Sequence, residues 1–342
     1  MNATVHFGDV AVTRVIEWEG PVKTVAGILP DTPAGHWHDH RSSMAPDFWN
    51  PQTDAYLCRI QTWVIRTAGR TILIDTGVGN DRERPGMPAF DHWQTDFLAR
   101  LAAAGVEPES VDTVVNTHIH SDHVGWNTRL VGGEFVPAFP NATYFVPRLD
   151  YDYFHPDNAA AMRPPQTEDE RQRFDGIRQL FADSIAPVEK SGQLQLWQGR
   201  HELPGLPIAL EPAPGHTPGS SLARLDAGAG ALFVGDLLHS PMQILHPDHC
   251  CSFDLDAAQA RATRRRILMQ AAIDGWTILP AHLPGHGAAV VDFAADGNGY
   301  AVARWADFPR HHSPRQSADR PAAFADDAAG PALASAGSAL KG

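Results

Sequence analysis

The sequence predicts an α/β fold in which two facing β-sheets are covered by helices. Three observations carry this expectation. Runs of β-branched and aromatic residues of strand length recur in both halves of the chain. Segments of helical periodicity separate them, and ligand-type residues stand just past the ends of several runs.

The chain opens with TVHFGDVAVTRVIEW, a strand pattern interrupted at Gly8. YLCRIQTWVIRT and TILIDTG follow as strands, with Ala68, Gly69 and Arg70 as the turn between them. Residues 30–54 read as a Pro- and aromatic-rich loop carrying Trp37, Phe48 and Trp49. From about Asp91 to Ala104 the spacing predicts a helix, with Trp93, Phe97, Leu98 and Leu101 on one face and Gly105 at its C-terminal cap. VDTVVN predicts a short buried strand, and ATYFVP, IALEPA, ALFVGDLL and WTILPAH predict further ones. DERQRFDGIRQLFADSI predicts a helix with Phe174, Ile177 and Phe181 on one side. Another helix starts near Asp256, which has capping-box spacing to Gln259; Ile267, Leu268 and Ala271 continue its apolar face. Arg264, Arg265 and Arg266 read as a solvated face of that helix. One domain is expected over residues 1–309. From residue 310 to 342 the chain turns Ala-, Pro-, Ser- and Gly-rich, with too little apolar surface to offset its ordering entropy, and is expected to be disordered.

The chain has 342 residues, enough for a sizeable core. Lys and Arg total 27 against 40 Asp and Glu, a formal charge of −13. Nucleic-acid binding rests largely on cationic contacts to phosphate, so a nucleic-acid partner is not expected. The three cysteines, Cys58, Cys250 and Cys251, have neither metal-finger spacing nor an even count, which fits a reducing, cytoplasmic compartment. The first residues lack the basic start and apolar run of a secretion signal, and no 18-residue apolar stretch exists, so no membrane partner is expected.

The chemistry lies in Thr117-His118-Ile119-His120-Ser121-Asp122-His123, directly after the strand VDTVVN. Imidazole and carboxylate are ligands that suit zinc and similar divalent ions. Three further candidates occupy the same context. His216 follows IALEPA within Pro-Gly-His-Thr-Pro-Gly, Asp236 ends ALFVGD, and His282 ends WTILPAH. Strand ends converging on one edge form a natural site. His286 competes for the late-ligand role, although His282 follows its strand immediately. His36-Trp37-His38-Asp39-His40 is also ligand-rich, but no strand precedes it, and it reads as a surface or substrate-loop segment.

With these motifs the sequence resembles the metallo-β-lactamase superfamily over roughly residues 5–300. The resemblance rests on His-x-His-x-Asp-His at 118–123, Pro-Gly-His-Thr-Pro-Gly at 214–219, Gly-Asp at 235–236 and the late histidine. It implies an αββα sandwich. It also implies one metal on His118, His120 and His216, a second on Asp122, His123 and His282, and Asp236 bridging the two. Asp75, in Leu-Ile-Asp-Thr-Gly, matches a position that supports the site, and His239 is expected beside it. Asp122-His123-Val124-Gly125-Trp126-Asn127, Phe139-Pro140-Asn141-Ala142 and Asp236-Leu237-Leu238-His239-Ser240-Pro241 resemble the lactonase and methyl-parathion-hydrolase-like branch.

The resemblance implies a hydrolase with two divalent ions, zinc by default, although manganese, iron or cobalt suit the same donors. Such ions make hydroxide available at neutral pH and stabilise charge on the substrate oxygen. Asp236 would hold the hydroxide, and Asp122 is a ligand that could also relay a proton. The expected small-molecule substrate is a lactone or carboxylic ester. A phosphotriester is the alternative within the fold, and a non-catalytic metal-bound effector or binding protein the alternative outside catalysis. Trp37, Phe48 and Trp49, with Tyr151 and Tyr153 in the run 148–155, are the expected substrate walls; the same aromatics would alternatively serve packing or a homodimer contact.

Overall fold

The structure is a computed structural model that describes residues 3–84, 87, 89–160 and 168–309. The expected tail at 310–342 lies outside the described residues, as does the side chain of Phe174.

The first sheet contains β1 (Ala3–Phe7), β2 (Val10–Thr24), β3 (Trp49–Asn50), β4 (Ala55–Thr67), β5 (Arg70–Ile74) and β6 (Thr113–Val115). After a small hairpin of β7 (Thr128–Val131) and β8 (Glu134–Pro137), β9 (Thr143–Pro147) and β10 (Leu194–Trp197) complete it. Its order is β1-β2-β4-β5-β6-β9-β10, with β3 alongside β4. The second sheet runs in sequence order: β11 (His201–Glu202), β12 (Ile208–Pro212), β13 (Ser221–Leu225), β14 (Ala231–Gly235), β15 (Thr277–Pro280), β16 (Ala289–Phe293) and β17 (Tyr300–Trp305).

Side chains alternate across a strand, so each central strand has an inner and an outer face. Trp63, Ile65, Ile72, Ile74 and Val115 of the first sheet share one buried cluster with Leu210, Ala223, Phe233 and Leu279 of the second. That cluster is the interior between the sheets. The intervening Val64, Leu73 and Val114 instead pack outward against Phe97 and Leu101 of the helix Phe97–Ala103. On the other side, Leu232, Val234 and Ile278 pack outward against Ile267, Leu268 and Ala271 of the helix Ala257–Asp274. The result is the expected order of helix, sheet, sheet and helix.

Several local expectations change. The helix expected from Asp91 begins only at Phe97. Asp91 is occupied by the backbone N–H of Arg84 at 2.7 Å, and Trp93 joins Trp18 and Phe90 in a separate cluster. Gly105, with φ +73°, ends the turn as expected. The helix Ala257–Asp274 is capped by Asp256, which accepts from the Gln259 N–H at 2.9 Å. Arg264 does not lie on its solvated face. It is wholly buried, donating to the carbonyls of Leu237, Pro247 and His249 and pairing with Asp254. Residues 30–54 are structured as well, with helices at Ala34–Asp39 and Arg41–Met44 followed by β3. Their large apolar side chains supply enough burial to order the segment.

Candidate metal centre

The candidate ligands stand where strands of the two sheets end. Asp75 follows β5, and residues 117–123 follow its parallel neighbour β6. Asp236 follows β14, and His282 comes shortly after its parallel neighbour β15. His216 follows β12. Two glycines allow the loops to close. Gly235 has φ +50°, and a Cβ there would stand 2.6 Å from Thr117 Oγ1, beside His118. Gly215, at φ +136°, lies so close to the start of the helix Ala257–Asp274 that a Cβ would collide with the backbone of Ala260.

Two ligand groups result. In the first, His118 Nε2 and His216 Nε2 lie 3.0 and 3.1 Å from His120 Nδ1. Asp236 Oδ2 lies 3.2 Å from His216 Nε2 and 3.7 Å from His118 Nε2. In the second, Asp122 approaches His123 Nε2 at 3.7 Å and His282 Nε2 at 3.5 Å. Asp236 Oδ1 stands 3.2 and 3.0 Å from those same two nitrogens. One oxygen of Asp236 therefore faces each group.

The outward nitrogens are held from behind. His118 Nδ1 lies 3.1 Å from Thr117 Oγ1, and His123 Nδ1 lies 2.9 Å from Asp75 Oδ2. His216 Nδ1 lies 3.0 Å from Asp254 Oδ1, and His282 Nδ1 lies 2.9 Å from the Arg59 carbonyl. Such contacts fix the ring orientation and leave Nε2 for a ligand. Asp75 also accepts from the Thr117 N–H and hydroxyl at 2.7 and 2.8 Å.

A cation fits this donor set. His123 Nε2 and Asp236 Oδ1 are buried without a hydrogen-bond partner, a costly state for polar atoms that metal coordination would relieve. The electrostatics point the same way. Burial and the neighbouring His216 hold His120 near pKa 3, and burial and His123 hold His118 well below its ordinary value. At His216 burial also opposes protonation, but hydrogen bonds to Asp236 and Asp254 outweigh it and raise the pKa to about 9. At His123 and His282 burial is outweighed chiefly by the charge of Asp236, and both are raised well above the usual range. Burial alone would raise the Asp236 pKa, yet His123 and His282 in particular hold it well below that of an ordinary carboxylate. The site thus stabilises positive charge, as protons or as metal ions that displace them.

Other expected residues fall around this centre. His239 Nε2 lies 3.3 Å from Asp236 Oδ2, and His239 groups with Asp236 and His282. His286 instead stacks on Trp305, with Nδ1 3.1 Å from the Phe308 carbonyl. Trp37, Phe48 and Trp49 are only 1–2% exposed and share a hydrophobic cluster with Met44 and Tyr56. These contacts fit the packing role that the sequence left open beside the substrate wall. Tyr151 is half-buried and donates to Glu189 at 2.7 Å. Tyr153 packs edge-on against Phe154, and it is Phe154 whose ring approaches His120, with centroids 6.0 Å apart.

The sequence reading missed two buried carboxylates. Asp150 accepts from the Ile119 N–H at 2.9 Å, the Thr217 hydroxyl at 2.8 Å and the Gly219 N–H at 2.5 Å, tying the 118–123 loop to the 214–219 loop. Asp254 joins His216 to Arg264 and the Cys251 N–H. Asp150 shares the aromatic run 148–155 with Asp152, and nothing in the sequence set it apart; nothing adjacent to His216 announced Asp254.

Known proteins give concordant matches. The model of the Metallo-beta-lactamase superfamily matches residues 55–282. The crystal structure of hydrolase AbOPH in the beta lactamase superfamily is 25% identical, covering 91% of this chain and 98% of its own, with a TM-score of 0.73. AidC, a dizinc quorum-quenching lactonase solved with its product, is 20% identical, covering 88% and 96%, with a TM-score of 0.66. The N-acyl homoserine lactonase AttM of Azorhizobium caulinodans is 39% identical over 61 residues. That match spans 18% of this chain and only 20% of AttM.

Proposed function

This chain belongs to the metallo-beta-lactamase superfamily and is a hydrolase of that fold, and from that premise we propose that it cleaves a lactone or carboxylic ester at a two-cation centre. The observation that carries the reading is Asp236, which presents Oδ2 to the His118, His120 and His216 group and Oδ1 to the His123 and His282 group. His118, His120 and His216 would hold one cation, Asp122, His123 and His282 the other, and Asp236 both. Zinc suits these nitrogen and oxygen donors. Divalent cations bound there supply Lewis acidity and water activation near neutral pH.

The chain's own residues do the rest. Thr117, Asp75, Asp254 and the Arg59 carbonyl fix four imidazoles, so the ligand set is organised before substrate arrives. Asp150 holds two ligand loops together. Asp122 is the more open carboxylate, 19% exposed against 5% for Asp236, and is placed to pass a proton towards a leaving group. Phe154 gives the His120 side an apolar edge suited to an uncharged acyl group. A formal charge of −13 disfavours anionic polymers as substrates. The lactonase identities of AidC and AttM support the choice of ester-type bond. Three free cysteines support a reducing, cytoplasmic setting.

The test is a substrate panel of lactones, carboxylic esters, phosphotriesters and structured RNA on zinc-replete protein, with EDTA-treated controls. Lactones or esters are expected to exceed the other classes in kcat/KM by about tenfold or more, with turnover lost on chelation. A phosphotriester or RNA as the best substrate would overturn the bond assignment. No turnover of any class by fully loaded protein would leave a binding protein.

A further inference from the structure

We infer that His36, His246 and His249 form an additional binding site for a transition-metal cation of the zinc, nickel or copper class, separate from the strand-end centre. The three offer ring nitrogens that all lie within 4.8 Å of one another. A tetrahedral ion with bonds of about 2.0–2.1 Å needs donor atoms roughly 3.4 Å apart, so the rings would turn and draw together to close on one ion. The rings already stand together. The His36 and His246 centroids are 4.2 Å apart, those of His246 and His249 4.9 Å, and those of His36 and His249 5.4 Å.

One observation points to a ligand: His36 Nδ1 is buried without a hydrogen-bond partner. His249 Nδ1 is held 2.9 Å from Thr32 Oγ1, the kind of contact that orients a ligand ring. His40 Nε2 stands 3.4 Å from His246 Nε2, at the edge of the cluster.

The local fold explains the selection. His36 belongs to the helix Ala34–Asp39 and His40 caps it, so their four-residue spacing puts both on one side. His38 turns elsewhere, edge-on to Trp49. An ion would therefore tie this segment to the one bearing His246 and His249. Gln243 links the latter to the main centre, accepting from the His239 N–H at 2.7 Å and donating to the His249 carbonyl at 3.0 Å. A surface cavity of ≈ 610 Å³ borders His246 and His249.

The test is zinc content at equilibrium with buffered free zinc, measured on the full chain. His246→Ala and His36→Ala are each expected to hold one equivalent less than the unaltered protein, while His38→Ala holds the same amount. The readout is a difference, so it stands whatever the main centre binds and whatever substrate is cleaved. If His246→Ala does not fold, His36→Ala, on the more open segment, carries the same comparison. An unchanged zinc count in folded His36→Ala, or an equal loss in His38→Ala, overturns the proposal.

Discussion

Two stretches of this chain are dense in histidine, residues 36–40 and 118–123, and the fold treats them differently. The second follows a strand buried between neighbours, and its loop turns several consecutive residues toward one point. His118 and His123 are each about 1% exposed, with Thr117 and Asp75 behind them. The first lies on a short helix, which can aim only every third or fourth residue in one direction. His36 and His40 face His246, His38 does not, and His36 and His40 remain half-buried. Ligand density in sequence is therefore a weak guide by itself. What separates the two runs is the backbone that presents them and the partners that hold each ring's far nitrogen.

That contrast can be broken most directly at Asp236, the carboxylate shared by both ligand groups. Asp236→Ala should reduce kcat/KM by about 10³-fold or more and lower metal content at the main centre, read by kinetics and elemental analysis together. Near-normal turnover with full metal content would show that the two groups do not depend on a common carboxylate.

A smaller effect separates the two late histidines. His282→Ala should remove one equivalent of metal from the centre, because His282 lies among Asp122, His123 and Asp236. His286→Ala should leave metal content unchanged and instead lower Tm, since its ring packs on Trp305. The opposite pattern would move the ligand.

The smallest effect tests support from behind the ligand. Asp254→Asn keeps the shape but removes the charge facing His216, and should weaken metal affinity by about 10–100-fold. Its signature is a drop in affinity with kcat largely retained when metal is saturating. A uniform fall in kcat with unchanged affinity would instead make Asp254 part of the chemistry.

Much of this was legible because strand-end chemistry leaves a local trace. His118, His120, Asp122 and His123 sit within six residues of one another, and His216, Asp236 and His282 each come soon after a recognisable apolar run. The alternation of Ile72, Leu73 and Ile74 likewise announces a strand with two covered faces. What was not legible has a different origin. Arg264 and its two neighbours look alike in sequence, yet only the fold places three carbonyls and Asp254 around Arg264. Trp37 and Trp49 read in sequence as pocket walls or as packing, and only the assembled cluster shows which side chains they touch.

By itself, then, the sequence determined the strands that carry the ligands and the chemical type of the centre, because period, capping and ligand identity are local properties of neighbouring residues. Tertiary structure alone decided which oxygen of Asp236 faces which group, that Asp150 and Asp254 stand behind the ligand loops, and that His36 meets His246 and His249. These contacts join residues from 20 positions apart, His216 to Asp236, to more than 200. No periodicity records such distances: they are set by how two twisted sheets and their loops close on one another.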